Sequence, residues 1–259
     1  MAKLLDLPFV DDLLVCLRFY SRLDVPLAPS VRLRFPQALR ALPVAGAIVG
    51  GCGAVALLAA RAVGVPPLPS SVCAIGALVA VSGALHEDGL ADVADGFGGG
   101  ATREKKLEIM RDSLLGSYGA ATLALGLMAR VAALASICDR GLWLAALALV
   151  AVGAASRLAG LAPLVMLAPA RSDGAGAAVT PPDAETLRVA LALSAALAAP
   201  LLFAGASLAQ LLGAGAAAGF AAIAVARLAR RQIGGYTGDV LGAAQQAAEI
   251  AFLLLLCAR

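Results

Sequence analysis

The sequence has little of what an ordinary soluble enzyme carries on its surface. Charged residues make up 14% of its 259 positions and aromatics 4%, with one tryptophan and one histidine; an ordinary soluble domain is about 25% charged. So little charge cannot clothe a water-facing surface, which excludes a soluble globule. One histidine cannot build a His-rich zinc site, and the five cysteines, at 16, 52, 73, 138 and 257, lack metal-ligand spacing; zinc chemistry is disfavoured. Four of the five sit within or beside apolar runs and read as buried thiols. The pattern GxxxxGK followed by Ser or Thr is missing, so an ATP motor is not expected. No sign of charge dominates either. The 20 Lys and Arg against 17 Asp and Glu leave a net +3, too little for a nucleic-acid binder. Asp6, Asp11 and Asp12 precede the first long apolar run, where a removable signal peptide would be basic.

What the chain has is apolar surface. Hydrophobic residues are 61% of it and the mean hydropathy is +0.90, carried by Ala, Leu, Val and Gly. That is the composition of helices packed through small side chains in lipid. The reading is an all-α polytopic transmembrane bundle of about seven spans in one membrane domain. The spans fall near 42–63, 68–85, 114–138, 142–168, 189–204, 206–226 and 240–258, each near the roughly 20 residues needed to cross hydrocarbon. The last holds Gln245, Gln246 and Glu249 and is marginal by hydropathy. Six spans result if it is re-entrant, eight if the N-terminal segment inserts. Residues 1–40 form a cytoplasmic or interfacial segment, with an amphipathic helix over 9–20. Basic residues place the N-terminus and the loops 86–113, 169–188 and 227–239 on the cytoplasmic side, with short, weakly charged outward links.

The polar chemistry is concentrated at 86–113, HEDGLADVADGFGGGATREKKLEIMRDS, which holds seven of the 17 acids and four of the 20 basic residues. Asp88, Asp92 and Asp95 are four and three residues apart, so on a helix they line one face. Three like charges in a stripe repel unless a cation shares them, and an oxygen-only set suits Mg²⁺, which keeps places for water and phosphate oxygens. The glycines of this stretch weaken a rigid helix and offer amides to a phosphate, or else are packing or linker positions. Lys105 and Arg111 bring positive charge, whereas Arg103, Glu104 and Lys106 fit a solvated face. Asp112 lies where the next span begins, and because a lone acid there needs a partner it joins the candidate metal ligands. In GGYTGD, Tyr236 and Thr237 lie in a turn that can present amides and a hydroxyl to an anion, while Asp239 can complete a cation site. Together these point to phosphoryl or phosphodiester transfer with Mg²⁺, in which a carboxylate or His86 takes the proton of an attacking hydroxyl.

The stretches LPVAGAIVG (42–50), HEDGLADVADGFGGG (86–100), EIMRDSLLGSYG (108–119), Arg157 and GGYTGDVLGA (234–243) resemble the cobalamin synthases, the adenosylcobinamide-GDP ribazoletransferases, in order and over most of the chain. The resemblance implies a Mg²⁺-dependent, multi-pass enzyme of the bacterial inner (cytoplasmic) membrane, with its active site facing the cytoplasm. Its substrates would be adenosylcobinamide-GDP and alpha-ribazole or alpha-ribazole 5'-phosphate, its products GMP and adenosylcobalamin or the 5'-phosphate. By resemblance, Asp88, Asp92 and Asp95 bind metal with Asp239 as a further contributor. Lys105 or Arg111 steadies the pyrophosphate, and His86 is a base or orients a carboxylate. Lipids are the other expected partners, nucleic acid is not one, and a homo-oligomer stays open. Two other readings compete. A CDP-alcohol phosphotransferase would need DGxxAR, but Gly89 is followed by LADV; a cation or small-solute transporter would carry its acids inside the spans.

Overall fold

The computed structural model describes residues 7–25, 35–171 and 180–258. The apolar runs have become helices, as they must where no water is available to satisfy backbone N–H and C=O groups. Helix α1 (Leu7–Tyr20) precedes a short α2 (Phe35–Ala38) and a 3₁₀ turn that leads into α3 (Leu42–Ala62). The turn at Gly64, with a φ of 84°, returns the chain into α4 (Pro67–Ser82). At Gly83 and Ala84 the backbone takes φ values of 65° and 58°, and the chain swings through 89° into α5 (Leu85–Gly99) and then α6 (Arg103–Ile109). The corner is braced from outside. Arg22 N–H donates to the Val81 carbonyl at 2.7 Å, and a Cβ on Gly83 would stand 2.3 Å from Arg22 Nε.

Next come α7 (Ser117–Arg140), α8 (Leu142–Ala159), α9 (Ala162–Met166), α10 (Ala184–Ala198), α11 (Pro200–Phe203), α12 (Leu208–Ile233) and α13 (Gly238–Cys257). Among the described residues, six helical stretches are long and apolar enough to cross a membrane, or seven if the bent α4–α5 pair supplies one. We read α4 as that seventh span, because it packs along both α3 and α7. The acidic helix α5, bent away from α4, packs along the first half of α7 and of α13, and we count it outside the spans. The poorly marked boundary near residue 205 is a turn at Gly205, with a φ of 105°, followed by a Ser207–Gln210 capping box. The helix start read at 182–183 is the Asp183 cap of α10, whose carboxylate accepts from Thr186 N–H at 2.8 Å.

The bundle is held by close backbone contact. A Cβ on Gly46 would lie 2.1 Å from the Gly153 carbonyl oxygen, and one on Gly153 would lie 2.3 Å from that of Gly46. With side chains absent at these points, α3 and α8 approach as small-residue membrane helices do. Helix α13, marginal by hydropathy, is instead central: Ala244, Ala248, Phe252, Leu253 and Leu256 are buried in the main core. Its polar residues point into the bundle and so leave the lipid face apolar.

One reading of the sequence is corrected. Residues 86–113 are not chiefly a loop, since α5 and α6 occupy most of them, and α5 runs unbroken through four glycines. Packing against α13 and α7 outweighs the roughly 1 kcal/mol that each interior glycine costs a helix.

Candidate active site

The helical register of α5 sets Asp88, Asp92 and Asp95 along one side, in keeping with their spacing. Gly89 and Gly96 are close-packing positions. A Cβ on Gly89 would lie 2.8 Å from the Asp239 carbonyl oxygen, and one on Gly96 would lie 2.5 Å from Met110 Cγ. The backbone of α5 therefore rests directly on the start of α13 and brings Asp88 and Asp92 to Asp239. Burial, then the charges of Asp88, Asp239 and Asp95, push the half-buried Asp92 carboxyl up to about 7, while Arg171 pulls it down. Such a site repels its own charge, and a bound cation relieves the repulsion.

A second strand of structure delivers Arg171. Tyr236 N–H donates to the Ala168 carbonyl at 3.0 Å and Ala170 N–H to the Tyr236 carbonyl at 2.8 Å. Gly235 permits this, because its Cβ would stand 2.4 Å from Ala168 O. Arg103 clamps the pair from α6, donating through Nε to Ile233 O at 2.8 Å and through Nη2 to Ala170 O at 2.5 Å. The chain then emerges with Arg171 Nη2 3.6 Å from Asp239 Oδ2. Arg171 Nη1 is buried and makes no hydrogen bond, leaving a charged donor available to an anion beside the first turn of α13.

The remaining predicted residues divide clearly. Asp95 is buried, and its two oxygens accept from Gly116 N–H and Gly119 N–H, both at 2.8 Å. It caps the start of α7 from another helix, a favourable place for a carboxylate. Thr237 is buried; its hydroxyl accepts from Val240 N–H at 3.3 Å and donates to Asp239 Oδ2 at 3.1 Å, so it caps α13 and orients Asp239. Tyr236 is also buried. Lys105 is exposed and paired with Glu108 at 2.9 Å. Asp112 accepts from Leu114 N–H at 3.1 Å in an exposed turn. Arg111 is exposed beyond α6, and neither it nor Lys105 lines the cavity described next.

That cavity, of about 250 Å³, is enclosed by α1, Phe35, the start of α5, the α8–α9 corner and the start of α13. Asp88, Arg171 and Asp239 stand in its wall, together with His86, whose ring lies parallel to that of Tyr20 with centroids 6.0 Å apart. Beneath it lies a buried polar cluster. Arg130 of α7 donates through Nη1 to Glu87 Oε1 at 2.8 Å, and its Nη2 is 2.8 Å from Glu249 Oε1, an ion-pair contact off the hydrogen-bond axis. Gln246 donates to Glu87 at 3.1 Å, and Gln245 donates to Glu249 at 2.8 Å and to Ser156 at 2.9 Å.

Sequence reasoning missed Arg171, Tyr20 and the Glu87–Arg130 pair. The pair left a signal, because Arg130 is a lone cation inside an apolar run and such a residue needs a partner. Arg171 left none, since its place depends on the pairing of Pro169 with Tyr236, far apart in sequence.

This is a polytopic helical membrane protein in which acids and arginines from separate segments meet at one end of the bundle, around a cavity of substrate size. The family model described as cobalamin-5-phosphate synthase matches residues 12–257, and the chain belongs to that family. Proteins named adenosylcobinamide-GDP ribazoletransferase are similar to it over nearly their whole length. One from Azorhizobium caulinodans is 46% identical over 247 residues, 94% of each chain. One from Xanthobacter autotrophicus is 48% identical over 250 residues, again 94% of each, and one from Bradyrhizobium diazoefficiens is 40% identical, covering 96% of this chain and 94% of its own. No solved structure matches the chain.

Proposed function

We propose that this protein transfers the adenosylcobinamide phosphate group from adenosylcobinamide-GDP to alpha-ribazole or its 5'-phosphate, at the α5–α13 end of the bundle. A ribose hydroxyl of the acceptor attacks the phosphorus bonded to cobinamide. The new P–O bond forms as the bond to the GMP phosphate breaks; the hydroxyl proton passes to the protein and GMP leaves. The observation that carries this reading is the meeting of Asp88, Asp92 and Asp239 with the unspent Arg171 donor at a cavity, in a chain belonging to this family.

The donor set fits Mg²⁺. Among the described residues, no three Asp, Glu, His or Cys side chains already form a closed metal cage, and Mg²⁺ does not ask for one. It is commonly held by one or two carboxylates together with substrate phosphates and water. Asp88, Asp92 and Asp239 would hold it, and Asp95, spent on α7, would position α5. When bound, the ion supplies charge neutralisation at the pyrophosphate. Arg171 holds a phosphate oxygen. His86, the chain's one histidine, lines the same cavity and takes the acceptor's proton. The acidic end faces the cytoplasm of the bacterial inner membrane, which agrees with the basic residues of its loops.

The test is stoichiometric. Purified protein in detergent with adenosylcobinamide-GDP, alpha-ribazole and Mg²⁺ should release GMP and form adenosylcobalamin one for one, with neither product in EDTA. GMP released without cobalamin would identify a pyrophosphate hydrolase instead.

A further inference from the structure

The cavity beside the acids has two chemically different ends. At its open end stand Asp88, which is exposed, and the half-buried Arg171 and Asp239. The other polar wall residues, His86, Arg157 and Gln245, are all more than nine-tenths buried. Between them the wall is apolar, with Phe19, Tyr20, Phe35, Leu161 and Leu164. A ligand for this space has a flat apolar body directed inward and a polar group directed toward the carboxylates.

The buried end also states which hydrogen bonds it can make. The Gln245 amide is spent, donating to Ser156 and Glu249 and accepting from Gln246. Arg157 donates from Nη1 to Gly153 O at 3.2 Å, while its Nε–H, buried, has no hydrogen-bond partner. A buried donor without a partner is destabilising, a cost that a ligand with a well-placed acceptor removes. The base of alpha-ribazole, a dimethylbenzimidazole, offers one ring-nitrogen acceptor, no donor and two methyl groups. A guanine edge would bring its own N–H donors against a donor. A corrin macrocycle is far too large for about 250 Å³.

We propose that this cavity is the acceptor site: the benzimidazole lies against Tyr20, Phe35 and Leu164, Arg157 Nε–H donates to its free ring nitrogen, and the ribose reaches out past His86 to Asp88 and Asp239. The assignment rests on the transferase reading above. It gives Arg157 and the end of α1 a role in choosing the acceptor, and it leaves the GDP half of the donor outside, toward Arg171.

The experiment is a steady-state titration of each substrate with the other saturating, together with equilibrium binding of labelled alpha-ribazole to the full chain in detergent. Arg157→Met removes the donor. Leu85→Trp narrows the cavity from a position that is 44% exposed and so tolerates a larger side chain. Arg157→Met should raise the acceptor KM and weaken alpha-ribazole binding at least about tenfold, as expected for a hydrogen bond to a charged group; Leu85→Trp should raise the acceptor KM by excluding the base, and both should keep the donor KM within twofold. Arg157→Lys should recover part of the loss. An unchanged acceptor KM in folded Leu85→Trp would overturn the assignment and leave the transferase reading standing, as would a rise confined to the donor. If the wild-type chain makes no cobalamin, both fall together.

Discussion

Asp92→Asn should lose at least about 100-fold in turnover, since replacing even residues that merely orient a metal ligand costs about 10- to 100-fold. The side chain keeps its size but surrenders the charge at the centre of the acidic group, the carboxyl that Asp88, Asp239 and Asp95 surround. Folding should survive, and even gain, because the substitution relieves like-charge repulsion in a half-buried place. Mg²⁺ titration of the variant should show a higher requirement, and elution and thermal unfolding in detergent should match the wild type. Asp95→Asn should behave differently. It retains one oxygen for the amides of Gly116 and Gly119, so its loss should appear in the stability of the α5–α7 contact as well as in turnover. Wild-type turnover with an unchanged Mg²⁺ requirement in Asp92→Asn would remove Asp92 from the metal site.

The largest loss of stability is expected from Arg130→Met. Its side chain is 2% exposed and lies between Glu87 and Glu249, which are 9% and 5% exposed. Removing the cation leaves two buried carboxylates with Arg157 as the one remaining cation near both, and breaking a buried pair costs about 3–5 kcal/mol. The variant should yield little folded protein and unfold at a much lower temperature. Adding Glu87→Gln should restore much of the loss, because it removes the one unpaired charge while Glu249 still faces Arg157. If the double variant is less stable than Arg130→Met alone, the cluster is not held by charge balance. Because Glu87 belongs to the same helix as Asp88, the cluster also fixes the depth and rotation of α5 under the cavity.

These two sites show what the sequence made legible and why the rest was hidden. Composition revealed a helical membrane bundle, since hydropathy is a local property, although α13, whose polar residues turn inward, announced itself only weakly. The 88–92–95 spacing revealed a shared face, because helical periodicity is also local. The glycines were ambiguous: in sequence, Gly89 and Gly96 could weaken α5, approach a phosphate or serve packing, and the structure makes them the places where α13 and α6 press against it. Asp95 illustrates another limit. Its spacing equals that of a ligand, but the amides at the start of α7 that hold it lie over twenty residues away. Arg171 reaches Asp239 through a contact between two loops, and Tyr20 reaches His86 from the other end of the first segment. Such meetings are decided by tertiary packing, which periodicity does not report.

The central claim is that the cobinamide-bound phosphate passes to the acceptor while GMP departs intact. The most direct measurement uses adenosylcobinamide-GDP labelled with ³²P at the phosphate bonded to cobinamide, incubated with the purified protein, alpha-ribazole and Mg²⁺. The account predicts that all label consumed from the donor appears in adenosylcobalamin and none in GMP, and that Asp92→Asn forms labelled product at least about 100-fold more slowly. Label recovered as GDP or inorganic phosphate, or in adenosylcobinamide phosphate with no cobalamin formed, would contradict it.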